Sequence, residues 1–171
     1  MKLREEILKE HSKAQCRKIV HWIGGNQQRF DELFSLFLND EYRVVQRAAW
    51  PLSYSAVQHP ALIKKHFARL IGNLRKPGIS VAVKRNTIRL LQYVEIPEKF
   101  HGDVVNTCFH YINSPCEAAA VKAFSLTVLQ NLARQYPDII NEIRVVIEER
   151  WENETSAFRS RAKKLLKEFA S

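Results

Sequence analysis

The chain has 171 residues, of which 46% are hydrophobic and 26% charged, a composition typical of globular proteins. Glycine and proline number only 5 and 6, which argues against a β-sandwich with many tight turns. No run approaches the roughly 18 apolar residues of a membrane-spanning helix. The net charge of +9 favours acidic partners. We therefore expect one soluble, cytoplasmic domain over residues 1–171, without a membrane partner.

The first part of the chain shows helical spacing of apolar residues from 3 to 23. Ser12 lies inside this segment and is a candidate N-cap, so the segment is either one helix or two. Gly24 and Gly25 end it. A short amphipathic helix is then predicted from Phe30 to Leu38.

Three pairs of helices are predicted after residue 40. First helices are expected over 44–57, 81–94 and 118–133, and second helices follow Pro60, Pro97 and Pro137. Proline suits the start of a helix because the first helical N–H has no partner there. Pro51 lies inside the first of these helices and predicts a kink or a break. A last helix, 156–169, has no partner after it.

Two independent markers repeat along this region with nearly the same period. Basic residues with small or apolar neighbours before them occur at Arg47, Arg85, Lys122 and Arg161, spaced 38, 37 and 39 residues apart. The three helix-opening prolines are spaced 37 and 40 residues apart. A period of this size with two helices per unit is typical of α-solenoids.

The residues around these markers resemble the HEAT repeats, whose first helix reads approximately Asp…Val-Arg…Ala…Leu. The matching segments run from Asp40 to Leu52, Val83 to Leu90, Val121 to Leu126 and Arg161 to Leu166. The resemblance covers about residues 12–171. It implies an all-α fold, a right-handed α-solenoid of about four two-helix repeats plus a terminal helix. The family's Asp is visible only at Asp40, so we expect an incomplete Asp–Arg ladder.

The stretch from Tyr42 to Val94 contains ten Lys and Arg residues and no Asp or Glu. Their counter-charges must come from distant parts of the chain, from salt or from a partner. Seven of them form the predicted partner- or phosphate-binding surface: Lys64, Lys65, Arg69, Arg75, Lys76, Lys84 and Arg89.

Three of these cations, Lys65, Arg69 and Lys76, have the spacing of one exposed strip on the helix after Pro60. The resemblance implies that second helices line the concave surface, so this strip is expected to face the groove. Arg47 and Arg85 stand where HEAT repeats use a structural arginine, and we expect that role for them.

Alternative interpretations remain open for the charged and aromatic residues. The basic strip is also compatible with a plain solvated face. The acidic residues Glu142, Glu148, Glu149, Glu152 and Glu154 are compatible with compensating the basic region within the chain or between copies. Trp50 and Tyr54 have a spacing that allows stacking on bases, although large aromatics at helical spacing usually belong to the core.

No pattern of a catalytic site is present in the sequence. The three cysteines have neither zinc nor redox spacing, which predicts reduced thiols. The six histidines show no metal spacing, and no phosphate loop or nucleophile motif occurs. We predict no catalytic residue, no metal and no cofactor.

The resemblance implies a non-enzymatic binding or scaffold module that holds an acidic protein or a nucleic acid. The alternative is a DNA-binding protein related to the HEAT-like alkylpurine DNA glycosylases. Such an enzyme needs a carboxylate near the flipped nucleotide, and the basic stretch contains none. The nearest carboxylates in the sequence are Asp40, Glu41, Glu95 and Asp103.

Overall fold

The computed structural model describes residues 1–170, and within this range it contains helices and no strand. The prediction of an all-α fold is confirmed. The chain divides into two compact units, the first spanning residues 1–96 and the second beginning at Pro97. That the chain behaves as a single domain stays a prediction.

The first unit contains six α-helices and one 3-10 segment. The helices are α1 (Leu3–Lys9), α2 (Lys13–Ile23), α3 (Gln27–Asn39), α4 (Tyr42–Gln58), α5 (Phe67–Asn73) and α6 (Val81–Leu91), and the 3-10 segment Pro60–His66 precedes α5. In the described part of the second unit the helices are α7 (His101–Asn113), α8 (Ala119–Ala133), α9 (Ile139–Arg150) and α10 (Ser156–Glu168), with 3-10 turns at Glu98–Phe100 and Trp151–Asn153.

Capping explains where the first helices begin and end. Residues 3–23 form two helices, because the Ser12 hydroxyl accepts a hydrogen bond from the Gln15 backbone N–H at 3.0 Å and so starts α2. Gly24 ends α2 with φ of 49°, a conformation that favours glycine. Pro51 is buried and does not break α4, which continues to Gln58.

Helix α4 is the element that most of the first unit packs against. It contacts α1, α2, α3 and α6. Its buried residues Val44, Ala48, Leu52 and Ala56 repeat every four positions, and their small or branched side chains let the neighbouring helices approach closely. The Arg47 guanidinium donates to the Leu8 carbonyl at 2.8 Å and so satisfies a carbonyl at the end of α1.

A cluster around Asp31 holds the 3-10 segment against α3. The Asp31 carboxylate lies 2.6 Å from the Lys65 ammonium and 2.6 Å from the His66 Nε2 atom, and it accepts from the Gln27 amide at 2.8 Å. The buried His66 ring stacks on Phe34, with ring centroids 4.1 Å apart. Burial raises the pKa of Asp31, but the hydrogen bonds from Lys65, Gln27 and His66 outweigh it and lower the pKa to about 2.

The second unit contains a buried ion pair. Helix α8 packs against α7, α9 and α10. From α8 the Lys122 ammonium reaches Glu154 at 2.7 Å, and the two side chains are only 4% and 3% exposed. Arg150 donates to the same carboxylate at 2.9 Å. Lys122, one of the repeating basic markers, is therefore a structural residue.

Removing the charge of Glu154 should destabilise the protein. In Glu154→Gln the Lys122 ammonium stays buried without its counter-charge, and we expect the free energy of unfolding to fall by about 3 kcal/mol. Urea denaturation measures this change. The matched control is Glu152→Gln at an exposed position, which should change the free energy by less than about 0.5 kcal/mol. Equal effects of the two substitutions would contradict the structural role of the pair.

Asp31 should make folding stability depend on acid pH. Because its pKa is lowered in the folded state, the stability it contributes is present above the unfolded pKa of about 3.9. It is lost as the pH falls from there through about 2. Asp31→Asn should therefore lose less stability between pH 6 and pH 2.5 than the wild type, measured as urea midpoints. Glu32→Gln, an exposed neighbour without an ion pair in residues 1–170, should keep the wild-type dependence.

Candidate functional site

The seven predicted binding residues lie on four consecutive parts of the first unit. Lys64 and Lys65 belong to the 3-10 segment, Arg69 to α5, Arg75 and Lys76 to the turn after α5, and Lys84 and Arg89 to α6. The predicted helical strip is wrong in its geometry. Lys65 precedes the α-helix and Lys76 follows its last residue, Asn73, so the three cations do not share one helical face.

The surroundings of these cations differ from one to the next. Lys65 forms an ion pair with Asp31, so its positive charge is partly neutralised within the protein. The Arg69 guanidinium lies 5.7 Å from the ring centroid of Phe34. Lys64 is exposed and has no partner within residues 1–170. Lys76 lines a cleft of about 180 Å³ together with the turn Pro77–Ser80.

Arg75 and Lys84 each take part in an interaction within the protein. A binding role for the seven residues stays a prediction.

The structural arginine of α6 is not the predicted one. Arg89 donates to the Ser53 hydroxyl of α4 at 2.8 Å, and its guanidinium lies 4.2 Å from the ring centroid of Tyr54. Arg85 is exposed and has no partner in the described part of the chain, so the structural role predicted for it is wrong. Four residues separate the two positions, and only the later one reaches α4.

The structure also reveals a groove between α2 and α4 that we call the basic groove. Its volume is about 420 Å³. It is lined by Lys13, Cys16, Arg17, Val20, His21, Trp50, Tyr54 and Gln58. None of these lining residues is a carboxylate, so the groove presents positive charge and hydrogen-bond donors.

Helical periodicity explains why these side chains meet. Lys13, Arg17 and His21 are spaced four residues apart and form one exposed row on α2. Trp50, Tyr54 and Gln58 form a second row with the same spacing on α4. Since α2 packs against α4, the two rows become the walls of the basic groove.

The cations of the groove are available to a ligand. Lys13 and Arg17 are exposed, and neither has an ion-pair or hydrogen-bond partner within residues 1–170. At the floor, burial raises the pKa of Cys16 to about 11, opposed by the positive charges of Arg89 and Arg17. The thiol therefore stays protonated at neutral pH.

Two aromatic side chains form the α4 wall. The rings of Trp50 and Tyr54 lie edge to face at 6.3 Å, and both residues are half-buried. His11 packs beside Trp50 at 5.5 Å. The Trp50 indole N–H and the Tyr54 hydroxyl make no hydrogen bond in the described residues. Neither ring is among the fully buried residues, and both line the groove. A stacking role for them stays a prediction.

Charge is divided unequally between the two units. Residues 1–96 contain 17 Lys and Arg against 8 Asp and Glu, whereas the rest of the chain contains 10 of each. The whole net charge of +9 thus belongs to the unit that contains the basic groove.

Sequence reasoning named Trp50, Tyr54 and Arg89 but missed Lys13 and Arg17. The available signal was the four-residue spacing of exposed cations on α2, which gives no indication of the helix that forms the opposite wall.

Two features are absent from the residues that the structure describes. No group of three or more His, Cys, Asp or Glu side chains there is placed to hold a metal ion. No helix in this range is long and apolar enough to cross a membrane.

Comparison with known proteins identifies the family. A model of the HEAT repeat domain matches residues 3–169. No curated protein and no solved structure matches the chain. The family match spans almost the whole sequence and agrees with the helical architecture. The chain therefore belongs to the HEAT repeat family and is an all-α solenoid of HEAT repeats.

Proposed function

We propose that this HEAT repeat protein is a non-enzymatic binding module that holds an acidic macromolecule on the basic surface of its first unit. The observation that carries the proposal is the basic groove, where Lys13 and Arg17 are exposed and unpaired and no carboxylate lines the walls. Like charges gathered on one surface repel one another, and an anionic partner removes that repulsion.

The predicted basic stretch adds further cations to the same unit. Lys64 is unpaired within the described residues, and Arg69 is exposed. Arg89, a member of the predicted set, lies against the Tyr54 ring of the groove wall. These residues provide cations on several helices, as binding to an extended polyanion requires.

Binding fits the arrangement better than catalysis. The glycosylase alternative requires a carboxylate beside a flipped nucleotide, and none lines the basic groove. Asp40, one of the nearest carboxylates in the sequence, is engaged by the Arg4 guanidinium at 3.0 Å. The Cys16 thiol is held protonated and is a poor nucleophile.

Charge reversal in the groove should weaken binding to polyanions. Lys13→Glu with Arg17→Glu should lower the affinity for a labelled polyanion at least 10-fold at about 50 mM salt, since two contacts become repulsive. On a single-stranded nucleic acid the slope of log affinity against log salt should also become shallower by about 1.4. Fluorescence anisotropy measures both quantities, with oligothymidylate, duplex DNA and polyglutamate as probes.

The control carries the same change of net charge. Lys163→Glu with Lys164→Glu alters two exposed lysines of α10 and should leave the affinity within about 2-fold if binding is local.

Lys64→Glu with Arg69→Glu tests the predicted stretch in the same assay. Absence of binding to all three probes at about 50 mM salt would contradict the proposed function, as would equal losses in the groove and control variants.

A further inference from the structure

The basic groove combines cations with aromatic rings, and attraction of an anion would not require the rings. Cations line one wall, on α2, and two half-buried aromatic rings line the other, on α4. A site for anions alone needs only the cations, whereas a positively charged groove that also contains aromatic side chains is typical of proteins that bind single-stranded nucleic acids. We infer that the basic groove binds single-stranded nucleic acid and that one base stacks on the Trp50 ring. This inference rests on the proposed function.

The hydrogen-bonding groups of the groove favour a nucleic acid over an acidic peptide. Both walls are helices, whose backbone groups are already paired within each helix. The polar side chains there are mostly donors: Lys13, Arg17 and the Trp50 indole N–H. A bound peptide would bring its own backbone N–H donors, and few acceptors are present to pair with them.

A nucleic acid strand presents the complementary groups. Phosphate oxygens are acceptors with a full negative charge and pair with Lys and Arg side chains. The aromatic face of a base needs no hydrogen bond and stacks on an aromatic ring or a guanidinium plane. Trp50 offers such a ring, and Arg89 is already positioned against Tyr54 at 4.2 Å.

The aromatic wall of the groove favours a single strand over a duplex. In a duplex the faces of the bases are covered by their stacked neighbours, so an aromatic wall has nothing to contact. The groove volume of about 420 Å³ lies within the range of about 300–1,000 Å³ found for sites that take one small ligand. One nucleotide seated between the two rows of side chains fits this description.

The test compares polyanions that differ in chemistry, with polyphosphate and polyglutamate matched in charge to the single strand. Fluorescence anisotropy competition at one salt concentration uses oligothymidylate of about 10 nucleotides, the corresponding duplex, inorganic polyphosphate and polyglutamate of matched charge. We expect oligothymidylate to bind at least 10-fold more tightly than polyphosphate, because stacking adds to the phosphate contacts.

Variants of Trp50 isolate the stacking contribution. Trp50→Ala should weaken oligothymidylate binding about 10-fold and leave polyphosphate binding within 2-fold, while Trp50→Phe should keep most of the affinity. The matched control is Trp22→Ala on α2, since Trp22 lies outside the groove and is covered by the Arg29 guanidinium at 4.8 Å. Circular dichroism checks the fold of each variant.

A second measurement does not depend on a truncated side chain. Oligothymidylate should quench the tryptophan emission of the wild type, and the quenching should disappear in Trp50→Phe, which retains the aromatic packing. Quenching that persists in Trp50→Phe would overturn the inference.

The remaining outcomes separate the inference from the proposed function. Equal affinity for oligothymidylate and polyphosphate, unaffected by Trp50→Ala, would overturn the stacking site and leave the proposed function standing. Tighter binding of duplex or polyglutamate than of the single strand would also overturn the inference. Absence of binding to every polyanion would overturn both.

Discussion

Packing against α4 is the constraint on which the first unit depends. Four helices contact α4, and its small buried residues allow them to approach closely. Arg47 fixes the end of α1 to this helix, and Arg89 fixes α6 to it through Ser53. The strip of α4 that contains Trp50 and Tyr54 is left half-buried and forms one wall of the basic groove. One side of α4 therefore packs the first unit together, and another side of the same helix forms a wall of the candidate site.

The excess of positive charge is handled in different ways along the chain. Some cations neutralise internal carboxylates, as Lys65 does at Asp31 and Lys122 does at Glu154. Others bond to backbone or hydroxyl groups, as Arg47 does. Cations that have no such partner in the described residues, such as Lys13 and Arg17, remain to interact with solvent or ligand. The binding hypothesis concerns this last group, since an internally paired cation has less to gain from an external anion.

The all-α repeat architecture was predictable because its signals are visible along the sequence itself. Ser12 as a cap and proline at helix starts depend on close neighbours in the chain, and the period near 38 residues follows from the spacing of repeated residue types. The pairing of side chains was not predictable from the same signals. Lys65 meets Asp31 across 34 positions, and the choice of Arg89 over Arg85 depends on how α6 is rotated against α4. The groove was missed for the same reason, because its two walls come from separate helices.

Base stacking on Trp50 is tested most directly by an NMR titration of the tryptophan indole N–H signals. The chain has three tryptophans, Trp22, Trp50 and Trp151, so the spectrum is simple and each signal can be assigned by a Trp→Phe variant. On addition of a short single-stranded oligonucleotide, we expect a large shift of the Trp50 signal and little change at the other two. A saturable shift at Trp151 or Trp22 without one at Trp50 would contradict this expectation.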